Sequence, residues 1–129
     1  MWDPLRRKEV ADTPEESVRQ WFIQRLADAG VPMSLMMSEV SFKFGEKPLR
    51  ADIMVFDRSG KPLAIVECKR PTVKISPSVA EQALLYNAAA EVALIMLTNG
   101  KNTYIYRKDG SGFTSMDHLP TFQEMLCLR

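Results

Sequence analysis

The sequence predicts an α/β (α+β) domain in which helices flank one mixed β-sheet, with elements in the order αβββαββα. Three observations carry this. A well-signalled helix start at Thr13 opens a run of helical periodicity, three strand-like segments with turn residues between them follow, and a second helical run precedes two more strands. A three-strand meander followed by a helix crossing to a fourth strand makes a sheet of mixed direction. The 129 residues suit one domain over 1–129, with no repeat, linker or low-complexity stretch.

The first helix is announced by Thr13-Pro14-Glu15-Glu16, with Thr13 as N-cap, Pro14 at the first helical position and Glu16 closing a capping box. Val18, Trp21, Phe22, Arg25 and Leu26 follow at helical spacing, an apolar stripe broken only by Arg25, until Gly30 and Pro32 stop the helix. Residues 39–44 alternate, placing Val40, Phe42 and Phe44 on one face, and 45–48 read as a turn. Residues 50–57 and 62–69 are two further strands joined by a hairpin turn over 58–61, and Pro62 suits a strand's first position. A second helix, with Ser78 and Glu81 as its capping box, runs to about residue 90; alanines and leucines nearly all round it predict burial. Residues 91–97 form an apolar strand, Asn99-Gly100 a turn, 103–107 its partner, and a weak helix over 120–128 closes the chain.

Composition excludes several classes of function. Seventeen Lys and Arg against 16 Asp and Glu leave a net charge of +1, which rules out a strongly basic nucleic-acid coat but not a local patch. Such a patch exists: residues 43–74 hold eight basic residues and four acids. Cys68 and Cys127 cannot build a disulfide framework, so a reducing, cytoplasmic setting is expected. The single histidine, His118, leaves no His-rich metal site and a poor basis for a Ser-His-Asp enzyme. The first residues hold no long apolar run, so no cleaved signal is expected, and no apolar stretch is long enough to cross a bilayer. With no glycine-rich phosphate loop, no ATPase is expected either.

The hairpin carries the chemistry. A symmetric turn over 58–61 sets Asp52 directly opposite Glu67, where facing residues have Cβ atoms about 4.5–5.5 Å apart. Lys69, two residues beyond Glu67, points to the same side, as would Leu63 and Ile65. Two facing carboxylates repel, and a divalent cation between them relieves the repulsion; hard oxygen donors suit Mg²⁺ or Mn²⁺. A solvated Asp-Glu-Lys ion network is the alternative. A one-residue change in the turn would throw the two acids to opposite faces. Cys68 faces away from them and reads as a small core residue.

Arg50-Ala51-Asp52, Glu67-Cys68-Lys69 and Gln82-x-x-x-Tyr86 together resemble the PD-(D/E)xK nucleases, and more closely the N-terminal nuclease domain of type I restriction enzyme R subunits. The resemblance spans nearly the whole chain, from TPEESVRQWFIQRL to LTNG; Ala51 stands where the superfamily's name implies proline. It implies a restriction-endonuclease-like sheet and metal-dependent hydrolysis of DNA phosphodiesters. Asp52 and Glu67 would be metal ligands with the Cys68 backbone carbonyl as a third oxygen, and Lys69 would position or activate the attacking water. Glu16 would help hold the metal or its water, although its capping role explains it equally well. Gln82 and Tyr86, one helical turn apart, would orient the site and touch the nucleic-acid backbone; as plain residues, Tyr86 is core and Glu39 an exposed strand edge. Arg50 and Arg70, with Lys43 and Lys74, either steer phosphates or are solvated surface.

Three functions follow. The first is a Mg²⁺- or Mn²⁺-dependent endonuclease domain acting on DNA beside the motor and specificity subunits of a restriction-type complex. The second is a self-sufficient homodimeric nuclease of the Holliday-junction-resolvase kind. The third is a non-catalytic relative that binds nucleic acid or a protein partner.

Overall fold

A computed structural model describes residues 1–87 and 91–128, with the side chains of Phe42, Phe44, Lys47, Tyr86 and Asn87 outside the description. The chain opens with an antiparallel ribbon of β1 (Trp2–Asp3) and β2 (Lys8–Glu9), which no sequence signal announces. Then come α1 (Pro14–Asp28), a 3₁₀ turn (Met33–Leu35), β3 (Met36–Phe44), β4 (Lys47–Phe56), β5 (Pro62–Cys68), α2 (Pro77–Asn87), β6 (Leu94–Thr98), β7 (Thr103–Asp109), β8 (Gly112–Met116) and α3 (Phe122–Cys127). Six strands form one sheet in the order β3-β4-β5-β6-β7-β8. Among the described strands only β5 and β6 pair in parallel, with α2 between them in sequence. The predicted order is therefore present, with the ribbon before it and β8 added at one edge. Among the described residues no helix is long and apolar enough to cross a membrane.

The sheet buries both faces. Val18, Phe22, Ile23 and Leu26 of α1, with Phe122 and Met125 of α3, pack on Ile53, Val55, Val66, Leu94 and Met96. On the other side Ala80 and Ala83 of α2 pack with Leu97, and Leu84 packs against a cluster containing Met54, Ile65 and Ile95. The α1 stripe differs from the expected one. Trp21 is 41% exposed and Arg25 also faces out, while Arg19 and Ile23 take buried places. Arg25 lies over the Trp21 ring, 5.7 Å from its centre, so the two cover each other on the solvent side.

Other boundaries also differ for identifiable reasons. The turn before β4 narrows to Gly45-Glu46, because Phe44 already pairs with Lys47 and Gly45 takes a left-handed φ of 64°. Helix α2 is capped by Ser76 rather than Ser78: the Val79 amide donates to Ser76 Oγ at 3.3 Å, and Pro77 takes the first helical position that suits its fixed φ. Its burial is one-sided, with Leu85 67% exposed, and the expected extension over 88–90 lies outside the described residues. Strand β6 starts at Leu94 instead of residue 91, since Glu91 is left-handed (φ 51°) and breaks the extended chain.

The β4–β5 hairpin reaches the expected register by an unexpected route. The Asp57 amide donates to the Lys61 carbonyl at 2.8 Å, leaving a three-residue loop with Gly60 at φ 85°. Asp57 Oδ1 clamps it by accepting from the Ser59 amide, the Ser59 hydroxyl and the Lys61 amide. This loop alone would pair Asp52 with Val66 and send Glu67 to the other face. A bulge corrects it. Phe56 pairs with Pro62 but Val55 with Ala64, so Leu63 is the extra residue, after which Met54 pairs with Ile65 and Ile53 with Val66. The bulge also turns Leu63 into the α1-side core with Ala64 and Val66, whereas Ile65 packs on the α2 side, so these two do not share a face as expected.

Candidate active site

The paired ladder ends at Ile53 and Val66, and Asp52 and Glu67 are the next residues along the two strands. Asp52 is locked from both sides: its Oδ2 accepts from the Cys68 amide at 2.7 Å and its Oδ1 from Arg19 Nη2 at 3.1 Å. Glu67 Oε2 lies 3.7 Å from Lys69 Nζ. An open cleft of about 300 Å³ is lined by Glu15, Arg50, Asp52, Glu67, Cys68 and Lys69. A second, of about 270 Å³, shares Glu67 and Lys69 with Gln82 and its neighbours on α2. The structure thus brings Asp52, Glu67, Lys69, Arg50 and Gln82 to one region. Tyr86 follows one turn later on α2, with its side chain outside the described residues. The Lys69 amide bonds to the Thr98 carbonyl at 2.8 Å, and Asn99 Nδ2 holds the Val73 carbonyl at 2.8 Å, so the chain leaving β5 is pinned to the end of β6.

Glu16 behaves differently from expectation. Half the capping box forms, since Thr13 accepts from the Glu16 amide at 3.1 Å. The reciprocal half does not: the Thr13 amide donates to the Ala11 carbonyl, and the Glu16 carboxylate turns inward. It accepts from Arg6, from Arg19 Nη1 at 2.8 Å and from Gln20 Nε2 at 3.1 Å. Arg6 also binds the fully buried Asp3 and lies 3.1 Å from Glu39.

Glu39 is more than an exposed edge. It sits 3.7 Å from Arg19 and 3.4 Å from Arg50, at a left-handed φ of 51° inside β3. Such backbone costs about 1–3 kcal/mol and persists only where surrounding contacts over-determine it; three arginines supply them. Sequence reasoning missed Arg6, Arg19 and Asp3. The i, i+3 spacing of Glu16 and Arg19 was a signal for one of them. Nothing local signals the approach of the ribbon carrying the other two. Arg70 lines a wider cleft of about 740 Å³ together with Arg6, Glu16, Arg19 and Glu39, while Lys43 and Lys74 are exposed.

The charges follow from these contacts. Burial acts to raise the Asp3 and Glu16 carboxyls, but hydrogen bonds from Arg6, and for Glu16 from Gln20 and Arg19, outweigh it and leave both below their ordinary values. Burial acts to lower Arg19, and Asp52 and Glu16 more than reverse that. Burial pushes the Cys68 thiol up, in keeping with a core residue rather than a nucleophile. A carboxyl lowered in the folded state supplies stability above its unfolded value and loses it as pH falls through the folded one. Thermal midpoints should therefore hold from pH 7 to about 5 and drop as the solution passes below the ordinary Glu and Asp values, 4.5 and 3.8. A midpoint flat down to pH 3 would contradict this.

A mixed sheet with helices on both faces, carrying an Asp on one hairpin strand and a Glu-x-Lys on the next, defines a restriction-endonuclease-like fold of the PD-(D/E)xK kind. Residues 14–120 match the family described as type I restriction enzyme R protein N terminus (HSDR_N), and the chain belongs to that family. Among solved structures, a candidate nuclease belonging to DUF820 from Anabaena variabilis matches at TM-score 0.55 and 14% identity, over 87% of this chain and 72% of that one. A fragment of a candidate HsdR subunit of a type I restriction enzyme from Vibrio vulnificus matches at TM-score 0.64 and 18% identity, covering 92% of this chain and 26% of that one. This chain thus spans about a quarter of the Vibrio fragment. No curated protein matches.

Proposed function

We propose that this chain is a Mg²⁺- or Mn²⁺-dependent DNA endonuclease domain, working with the motor and specificity subunits of a type I restriction complex. The observation that carries the reading is the convergence of Asp52, Glu67 and Lys69 on one open cleft.

The donors fit a hard divalent ion by type. Asp52 and Glu67 offer carboxylate oxygens, and the Cys68 backbone carbonyl is the candidate third. Among the described residues no three His, Cys, Asp or Glu side chains cluster closely enough to hold a metal alone. Two carboxylates and a carbonyl leave positions for the several waters that Mg²⁺ keeps and a phosphate can replace. Asp52 engages both oxygens already, yet a carboxylate has about four lone-pair positions and two remain. Bound there, the ion would acidify a water and polarise the phosphoryl oxygen.

The chain's own residues do the rest. Lys69, with a 39% exposed side chain, reaches into the cleft to position the attacking water and offset charge developing on the phosphate. Gln82 and Tyr86 orient the substrate from α2. Arg50, on the Asp52 cleft, and Arg70, on the wider one, contact phosphates, contacts that weaken with salt.

Incubating the full chain with supercoiled plasmid and with a four-way junction, in Mg²⁺ or Mn²⁺, tests this. Nicking of plasmid that needs the metal is the expected result. Cutting confined to the junction would favour a resolvase-like dimer. The engaged state of Asp52 favours a second reading, a non-catalytic relative; absence of any cleavage, with no heat of metal binding, would establish it instead.

A further inference from the structure

Arg19 carries an inference that rests on the metal-site reading and deepens it. Its side chain is 4% exposed, and its nitrogens are shared among four acids. Nη1 donates to Glu16 at 2.8 Å and Nη2 to Asp52 at 3.1 Å. The same Nη2 is ion-paired with Glu15 at 3.6 Å and with Glu39 at 3.7 Å, distances longer than a hydrogen bond. Among the described residues its buried Nε has no hydrogen-bond partner. The geometry is that of a side chain with one occupied station and a second prepared beside it.

We propose that Arg19 is a positioning residue that holds Asp52 while the site is free of a divalent ion, and moves to Glu15 and Glu39 when an ion is bound. A guanidinium on Asp52 Oδ1 and a divalent ion on the same carboxylate repel at close range in a partly desolvated cleft. The Glu16 contact serves as pivot. A displacement of under about 1 Å brings Nη2 from its present separation to an ordinary N–H···O distance from Glu15 or Glu39. Asp52 then exchanges one cation for another, and Arg19 stays paired with glutamates, so no buried charge is stranded. Arg19 thereby keeps the acids assembled in the empty site and sets how tightly the site takes its ion.

Calorimetric titration of Mn²⁺ into the full chain, paired with thermal melts, tests this on the wild type, Arg19→Met, Arg19→Lys and the control Arg107→Met. Arg107 lies exposed on β7 and its loss changes net charge equally. Arg19→Met should bind Mn²⁺ about tenfold more tightly, the factor that 1.4 kcal/mol represents. It should also melt lower without the ion and gain more from Mn²⁺ than the wild type does. Arg19→Lys, a point charge unable to fork between Glu16 and Asp52, should tighten binding by about threefold. It carries the test alone if the methionine variant fails to fold.

Unchanged or weaker binding by the Arg19 variants overturns the proposal, as does an equal gain in Arg107→Met. If the wild type binds Mn²⁺ through Asp52 and only the Arg19 effect is missing, the exchange alone falls. If neither wild type nor variants bind Mn²⁺, the metal-site reading falls and takes the exchange with it.

Discussion

Replacing Asp52 by asparagine should lower metal-dependent plasmid nicking by at least about 1000-fold, equivalent to about 4 kcal/mol of barrier. The substitution is nearly isosteric and keeps one oxygen to accept the Cys68 amide, so the β4–β5 contact at 2.7 Å survives. What disappears is the charge that pairs with Arg19, and the new amide nitrogen sets a donor against Arg19 Nη2 at a modest cost in melting midpoint. The fold is therefore expected to persist, with circular dichroism and a cooperative melt unchanged in form, while turnover is lost. Nicking by Asp52→Asn at the wild-type rate would mean that the acids take no part in cleavage. Asp52→Ala, which also orphans the Cys68 amide, should show the same loss of nicking together with a lower melting midpoint.

The largest effect on stability is expected from Glu16→Ala. The Glu16 side chain is 7% exposed and meets Arg6 and Arg19, themselves 17% and 4% exposed. Removing one partner of a buried pair leaves the other charge uncompensated, which typically costs about 3–5 kcal/mol. Arg19 would retain Asp52, and Arg6 would retain Asp3 and Glu39, so a loss near the lower end, about 3 kcal/mol, is expected. In a domain of this size that lowers the thermal midpoint by roughly 10 °C. A shift of only a degree or two, accompanied by loss of nicking, would move Glu16 from the supporting network into the chemistry.

These two acids also show what can be read from the chain by itself. Asp52 and Glu67 were legible because a hairpin converts residue numbers into facing pairs, and strand alternation then places Lys69. The register at Ile53 and Val66 is the one a symmetric turn implies, but the molecule reaches it otherwise: a three-residue loop and the Leu63 bulge offset one another. Glu16 was half legible. Local spacing reveals Thr13 as its cap, but its carboxylate answers to Arg6, and no periodicity within α1 reports a partner arriving from another element. The α1 stripe was misplaced for a related reason. Trp21 looks like core by hydropathy, whereas Arg25 shields it outside and the acids draw Arg19 inward. Helix and strand identities were local properties and were largely readable. Charge networks joining three elements were not.

The Leu63 bulge lies between the hairpin tip and the acids, and it therefore insulates one from the other. Deleting Leu63 would leave an unbroken ladder on the same three-residue tip with Ile53 still opposite Val66, at the expense of one core side chain. Straightening the kink instead would pair Leu63 with Phe56 and leave a four-residue tip in the same register. The register of Ile53 with Val66 is thus held on the far side of the bulge from Ser59–Gly60, which makes this tip the place where the domain has freedom to vary.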